Sequence, residues 1–232
     1  MKPRLPAFAL LRFIAVAALL LACITPAPAQ SQPQPQAVNV HQELLIAARA
    51  GNGKAVTALL DRGADANSRN RVGDTPLNIA ARRGDEAMAR ELLAHDGADV
   101  NLANLAGVTP LMSAAYGGHA TIVRLLLDAK AATDAKDRMH KTAAVYAAGE
   151  GRTEALEALL DAGIDANLRY DSDLTVLMWA AGNGHTNTVR LLLERRADPT
   201  LRDDRGLTAL AMAKQNGHAQ TAAVLVAARA PE

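Results

Sequence analysis

Thr75-Pro76-Leu77 and Thr109-Pro110-Leu111 are two copies of one signal, and the threonine returns at Thr142, Thr175 and Thr208, at intervals of 34, 33, 33 and 33 residues. A fixed period of that size marks stacked repeats, each too small to bury its own apolar face and each completed by its neighbours. Around the signal the residues read as a helical hairpin. Thr75 is suited to cap free N–H groups while Pro76 fills the first turn, where no donor is missed. Leu77, Ile79, Ala80 and Ala81 supply an apolar stripe, and Gly84 ends the helix. A second helix, from about Glu86 to Ala94, carries Met88, Ala89, Leu92 and Leu93 at helical spacing and closes at Gly97. Ala98-Asp99-Val100-Asn101 then leads to a turn around Gly107 and to the next threonine. The unit is helix, turn, helix, extended turn.

Composition agrees with such an array. Half of the 232 residues are apolar but only 3% are aromatic, so burial rests on closely packed Ala, Leu and Val, as in helix-on-helix stacks. The net charge is +1, from 25 basic and 24 acidic residues, which gives no reason to expect nucleic acid or an anionic membrane surface as the main partner.

The first residues differ in kind from the rest. Lys2, Arg4 and Arg12 make a positive start, Phe13 to Ile24 form an apolar run of 12 residues, and Thr25-Pro26-Ala27-Pro28-Ala29 follows. Residues 1–29 therefore read as a secretory signal, since a permanent membrane span needs roughly 20 apolar residues. Cleavage after Ala29 leaves Gln30 as the first mature residue and removes Cys23, the chain's only cysteine. The competing reading takes Leu20-Leu21-Ala22-Cys23 as resembling a bacterial lipoprotein box, with Cys23 lipidated and the protein tethered to a membrane; Leu21 fits that box poorly. Residues 30–40 are polar and rich in Pro and Gln, a flexible leader. From about His41 to Arg229 the repeats run without a linker, dividing near 41–69, 70–103, 104–136, 137–169, 170–202 and 203–229.

These motifs resemble the ankyrin repeat family over nearly all of the mature chain. The residues that carry the likeness are Gly73-x-Thr75-Pro76-Leu77, Gly63-Ala64-Asp65-x-Asn67, Gly97-Ala98-Asp99-Val100-Asn101, and Asn183-Gly184-His185 followed by Val189-Arg190-Leu191-Leu192-Leu193. The resemblance implies an all-α solenoid of about six helix-turn-helix repeats, with atypical first and last repeats acting as caps. The chain also departs from the family. The position that usually holds His carries Asn78, Met112, Val145, Met178 and Ala211, so the associated hydrogen bonds are expected to be absent or remade. Lys130 and Arg196 stand where a glycine usually follows the second helix, and those turns are expected to be rebuilt. One extra residue near Asp96 is expected to lengthen the end of the second helix of its repeat, as a local bulge.

Little in the chain points to catalysis. His119, His185 and His218 occupy one repeat position and are too far apart to share a metal, because stacked helices lie about 10 Å apart. Asp65, Asp99, Asp165 and Asp198 recur in the same way and read as turn residues. Tyr146 and Trp179 read as packing residues of the first helices. With no catalytic, phosphate-binding or metal motif in the mature chain, neither an enzyme nor a cofactor is expected.

The resemblance implies binding of a partner protein through turn tips and the concave face of the first helices. Those positions hold Arg71, Asp74, Arg82 and Arg83, then Leu105, Val108 and Tyr116, then Arg138, Met139, Lys141 and Glu150. Further along they hold Asp171, Ser172, Leu174 and Asn183, and finally Asp204, Arg205 and Gln215. Leu105, Met139 and Tyr116 are the expected anchors, because apolar and aromatic residues carry most interface energy. The expectation is an exported, periplasmic protein-binding module. It is similar to a bacterial group of exported ankyrin proteins, some of which support oxidative-stress enzymes such as catalase. The alternatives are a scaffold lipid-anchored through Cys23, and an inhibitor or immunity protein.

Overall fold

The computed structural model describes residues 39–229, which form twelve α-helices arranged as six hairpins. In chain order these are α1 (Val40–Ala50) and α2 (Gly53–Asp61), α3 (Pro76–Arg83) and α4 (Glu86–Ala94), and α5 (Pro110–Gly117) and α6 (Ala120–Asp128). The second half repeats the plan with α7 (Ala143–Gly149) and α8 (Thr153–Asp161), α9 (Val176–Gly182) and α10 (Thr186–Glu194), and α11 (Ala209–Gln215) and α12 (Ala219–Ala227). The expected signal segment, Cys23 and the Ala29–Gln30 junction lie outside the described residues. Asn39 caps α1 through its side chain, so it and Val40, assigned to the leader by composition, belong to the stack.

Each of the five periodic threonines does the work its spacing implied. The hydroxyl oxygens of Thr75, Thr109, Thr142, Thr175 and Thr208 accept from backbone N–H groups three residues on, at 3.1, 3.2, 3.4, 3.3 and 3.2 Å. Such a cap is worth about 1 kcal/mol. The odd-numbered helices stack against one another through fully buried alanine pairs, Ala80-Ala81, Ala114-Ala115, Ala147-Ala148 and Ala180-Ala181. The even-numbered helices close the other side with Leu92, Leu126, Leu159, Leu192 and Leu225, each fully buried and one repeat apart. Small residues inside and leucine outside let neighbouring hairpins approach closely enough to share one core.

Polar bridges fix the register between repeats. Asp65, Asp99, Asp165 and Asp198 each accept from the backbone N–H two residues on, at 2.8 Å, which is turn chemistry as expected. Asn67 donates to the Gly97 carbonyl at 2.7 Å and accepts from the Asp99 N–H at 2.8 Å, and Asn167 repeats this on Arg196 and Asp198. The histidines reach back one repeat. His185 Nε2 stands 2.8 Å from the Gly149 carbonyl and His218 Nε2 3.1 Å from that of Gly182. Arg152 fills the same slot and donates to the Tyr116 carbonyl at 3.0 Å. Gly151 must stay bare for this, since a Cβ there would lie 2.5 Å from the His185 ring.

Two of the three departures from the family pattern resolve differently from expectation, and the third, at Asn78, as expected. Lys130 and Arg196 do not rebuild their turns; both keep the left-handed backbone, at φ 66° and 63°. A side chain in that region costs roughly 1–2 kcal/mol; an asparagine of the preceding repeat braces each turn against it, Asn101 accepting from the Ala132 N–H at 2.8 Å and Asn167 bonding the Arg196 carbonyl and the Asp198 N–H. The extra residue near Asp96 does not lengthen α4, which has the same 9 residues as α6. His95 leaves the helix in an extended conformation instead, and the insertion is absorbed before Gly97. Asn78 remakes the bonds of the missing histidine: its side chain faces Thr75 Oγ1 at 3.0 Å and donates to the Val108 carbonyl of the next repeat at 3.2 Å.

Candidate functional site

Between hairpins the chain makes a tight tip whose first residue sets its shape. Asn70, Asn104, Asp137 and Asp203 each use one side-chain oxygen to accept two backbone N–H groups, two and four residues on, at 2.7 to 3.1 Å. Their own N–H groups donate across the tip, as from Asn70 to the Asp74 carbonyl at 3.0 Å. Successive tips are then zipped together: Leu105 N–H donates to the Val72 carbonyl and Arg138 N–H to that of Ala106, both at 3.0 Å. This rigid strip points Arg71, Val72, Leu105, Arg138 and Met139 into solvent, with Leu105 54% and Met139 63% exposed.

The fifth tip is built otherwise, because Tyr170 has no side-chain acceptor of that length. It folds as a short 3-10 turn at Asp171–Asp173, with Ser172 and Asp173 at φ 59° and 58°. Side chains fasten it to the fourth tip. Asp171 receives Lys136 at 3.3 Å and faces His140 Nδ1 at 2.8 Å.

Beside the strip, the inner helices gather most of the aromatic residues of the repeats. Tyr116 and Tyr146 meet edge to face, with ring centres 5.8 Å apart. The Lys141 ammonium lies over both Tyr146 and Trp179, 5.5 and 5.1 Å from the ring centres. The Tyr146 hydroxyl donates to Asp137 Oδ2, the carboxylate oxygen not used in the tip. Burial, and then that anionic partner, push the Tyr146 phenol well above its ordinary range, so it stays a neutral donor. The Trp179 indole N–H is buried without a hydrogen-bond partner, which costs about 1–3 kcal/mol. Next to it, Leu174, Asn183, Arg205 and Gln215 line a groove of about 240 Å³.

The remaining expected residues divide by environment. Arg82, Arg83, Tyr116, Glu150 and Asn183 are exposed at the ends of inner helices, and Val108, Lys141 and Leu174 are half-buried at the bases of tips. Asp171, Ser172, Asp204, Arg205 and Gln215 are exposed. Asp74 is a correction: it is buried, not offered at the surface, because its carboxylate accepts from Arg82 and from Asn104 of the next tip, both at 2.8 Å. Burial alone would raise the Asp74 pKa, but these donors and the Arg82 charge outweigh it and hold the carboxyl below its usual range. Arg82 is thereby committed to the framework. Val72 was not singled out by sequence reasoning, and Tyr146 and Trp179 were read as packing alone. The available signal was clustering: every Tyr and Trp of the chain falls between residues 116 and 179.

A family model described as "Ankyrin repeats (3 copies)" matches residues 44–137, 96–170 and 145–231, overlapping segments that cover most of the chain. The chain belongs to the ankyrin repeat family. Ankyrin repeats generally mediate protein–protein interaction and are typically non-enzymatic modules. No curated protein matches this ankyrin-repeat chain. Among the described residues, no group of three or more His, Cys, Asp or Glu is placed to hold a metal ion, and no helix is long and apolar enough to cross a membrane.

Proposed function

We propose that this ankyrin-repeat chain is an exported, non-enzymatic binding protein that holds one partner protein across its turn tips and inner helices. The observation that carries this reading is the adjacency of exposed Leu105 and Met139, on a hydrogen-bonded strip, to the Tyr116–Tyr146–Lys141–Trp179 cluster. Large apolar groups on a stiff backbone lose little entropy on docking, which is what makes a productive anchor. Arg71, Arg138, Glu150 and Asn183 supply the polar rim.

The N-terminal segment supports export to the periplasm, with cleavage after Ala29 and a soluble product beginning at Gln30. The first partner class to test is a periplasmic stress-response enzyme, on the resemblance to exported ankyrin proteins of that kind. The test is to isolate the exported protein, read its N-terminus by intact mass and identify what crosslinks to it. A Gln30 start and a stoichiometric partner, lost in the Tyr116→Ala, Met139→Ala double variant, support the reading. A lipidated Cys23 with membrane components replaces it by a tethered scaffold.

A further inference from the structure

The second, third and fourth tips present a pattern of charge that specifies more than a generic apolar contact. Arg71 and Arg138 are exposed and neither makes an ion pair among the described residues, whereas Arg82, Arg195 and Arg205 are each matched to a carboxylate. Between them in the strip stands exposed Leu105, and the backbone bonds from Leu105 to Val72 and from Arg138 to Ala106 make the three tips one continuous edge. Read along the repeats, the edge is cation, leucine, cation. Lys141, at the base of the fourth tip, also has no carboxylate partner among the described residues and lies over two aromatic faces.

Repeat spacing converts that pattern into a ligand. Adjacent packed helices lie about 10 Å apart, and a polyproline II segment advances about 3.1 Å per residue with about three residues per turn. Positions i, i+3 and i+6 of such a segment therefore share one face at steps that match the tips. An ordinary strand would turn position i+3 to the opposite side. We propose that the tips of repeats two to four bind a polyproline II segment of a partner protein with the pattern acidic-x-x-apolar-x-x-acidic. Its carboxylates meet Arg71 and Arg138, and its apolar side chain meets Leu105. This deepens the proposed binding reading and rests on it. The fifth and sixth tips set the limit of the segment. Asp171 already bonds Lys136 and His140, Asp173 pairs with Arg169 at 3.6 Å, and the exposed carboxylate of Asp204 repels a continuing acidic run. The same carboxylates, with a net charge of only +1, disfavour a nucleic-acid backbone tracking the whole edge.

The test uses the full chain and fluorescein-labelled Glu-Pro-Pro-Leu-Pro-Pro-Glu, read by anisotropy. The expected result is binding that weakens with salt and weakens at least about tenfold in the exposed-residue variant Arg71→Glu, Arg138→Glu. Binding of Lys-Pro-Pro-Leu-Pro-Pro-Lys should appear in that variant and not in the parent. Equal affinity for a peptide with one proline removed between Glu and Leu overturns the proposal, as does tighter binding of the lysine peptide or of a 12-nucleotide single-stranded DNA to the parent. If the peptide fails while the natural partner still depends on Tyr116 and Met139, the segment is wrong and the binding reading stands. If the partner is retained without those two side chains, the binding reading itself fails.

Discussion

The Lys141 ammonium lies 5.1 Å from the centre of the Trp179 ring and 5.5 Å from that of Tyr146, bridging the fourth repeat to the fifth. Contacts of this kind contribute about 0.5–2 kcal/mol. Lys141→Met should therefore lower stability by about 1 kcal/mol and alter the emission of Trp179, the chain's only tryptophan. Urea melts followed by fluorescence check both, and an unchanged spectrum would show that the contact is not populated in solution.

Asn78 is fully buried and serves two repeats, pairing with Thr75 at 3.0 Å and with the Val108 carbonyl at 3.2 Å. Asn78→Ala removes the acceptor of the Thr75 hydroxyl and one of two donors to the Val108 carbonyl, which keeps the Asn104 N–H at 3.0 Å, and unfolding free energy should fall by about 1–2 kcal/mol. An exposed control, Asn187→Ala, should change it by less than about 0.5 kcal/mol.

Lys130 and Arg196 hold a left-handed backbone at a turn that needs no side chain. Lys130→Gly and Arg196→Gly should each stabilise by about 0.5–1 kcal/mol, the relief of strain less the added freedom of the unfolded chain. Thermal melts of the single and double variants check this, and the two effects should add because the sites are two repeats apart.

Asp74 and Asp203 both titrate below the ordinary carboxyl range: burial pushes the other way, but bonds from Arg82 and Asn104 in one case, and from the Leu207 and Arg205 N–H groups and the Arg205 guanidinium in the other, prevail. A carboxyl held low in the folded state stabilises above its unfolded value, near 3.9, and that stability is lost as pH falls through the folded value. Stability should thus be level from pH 7 to about 5 and decline steeply below about 4. Asp203→Asn is the informative variant, because Asn70 and Asn104 already perform the same tip bonds with an amide. It should preserve the tip and flatten the acid limb of the urea midpoint against pH.

The hairpins were legible because their causes are local. The periodic threonines, Pro76 and Pro110, and the apolar stripes act within a few residues of themselves, and the structure places them as read. The turn aspartates were legible for the same reason. What sequence reasoning missed are relationships across one repeat. Asp74 looks like an exposed tip residue until Asn104, 30 positions on, is brought to 2.8 Å from it. Lys130 looks incompatible with its turn until the neighbouring repeat is seen to hold that backbone. Tyr146 and Trp179 sit at a packing position of their own helices, and only stacking brings Lys141 over both rings. Period predicts which positions recur; it does not state which side chains at those positions find each other.

The most direct measurement is site-specific photocrosslinking in the native host, with benzoylphenylalanine placed at Tyr116, at Met139 and, on the opposite face, at Arg124 of α6. The account predicts one and the same crosslinked protein from positions 116 and 139 and none from 124. Equal crosslinking from position 124, or no protein crosslinked from 116 and 139, would contradict it.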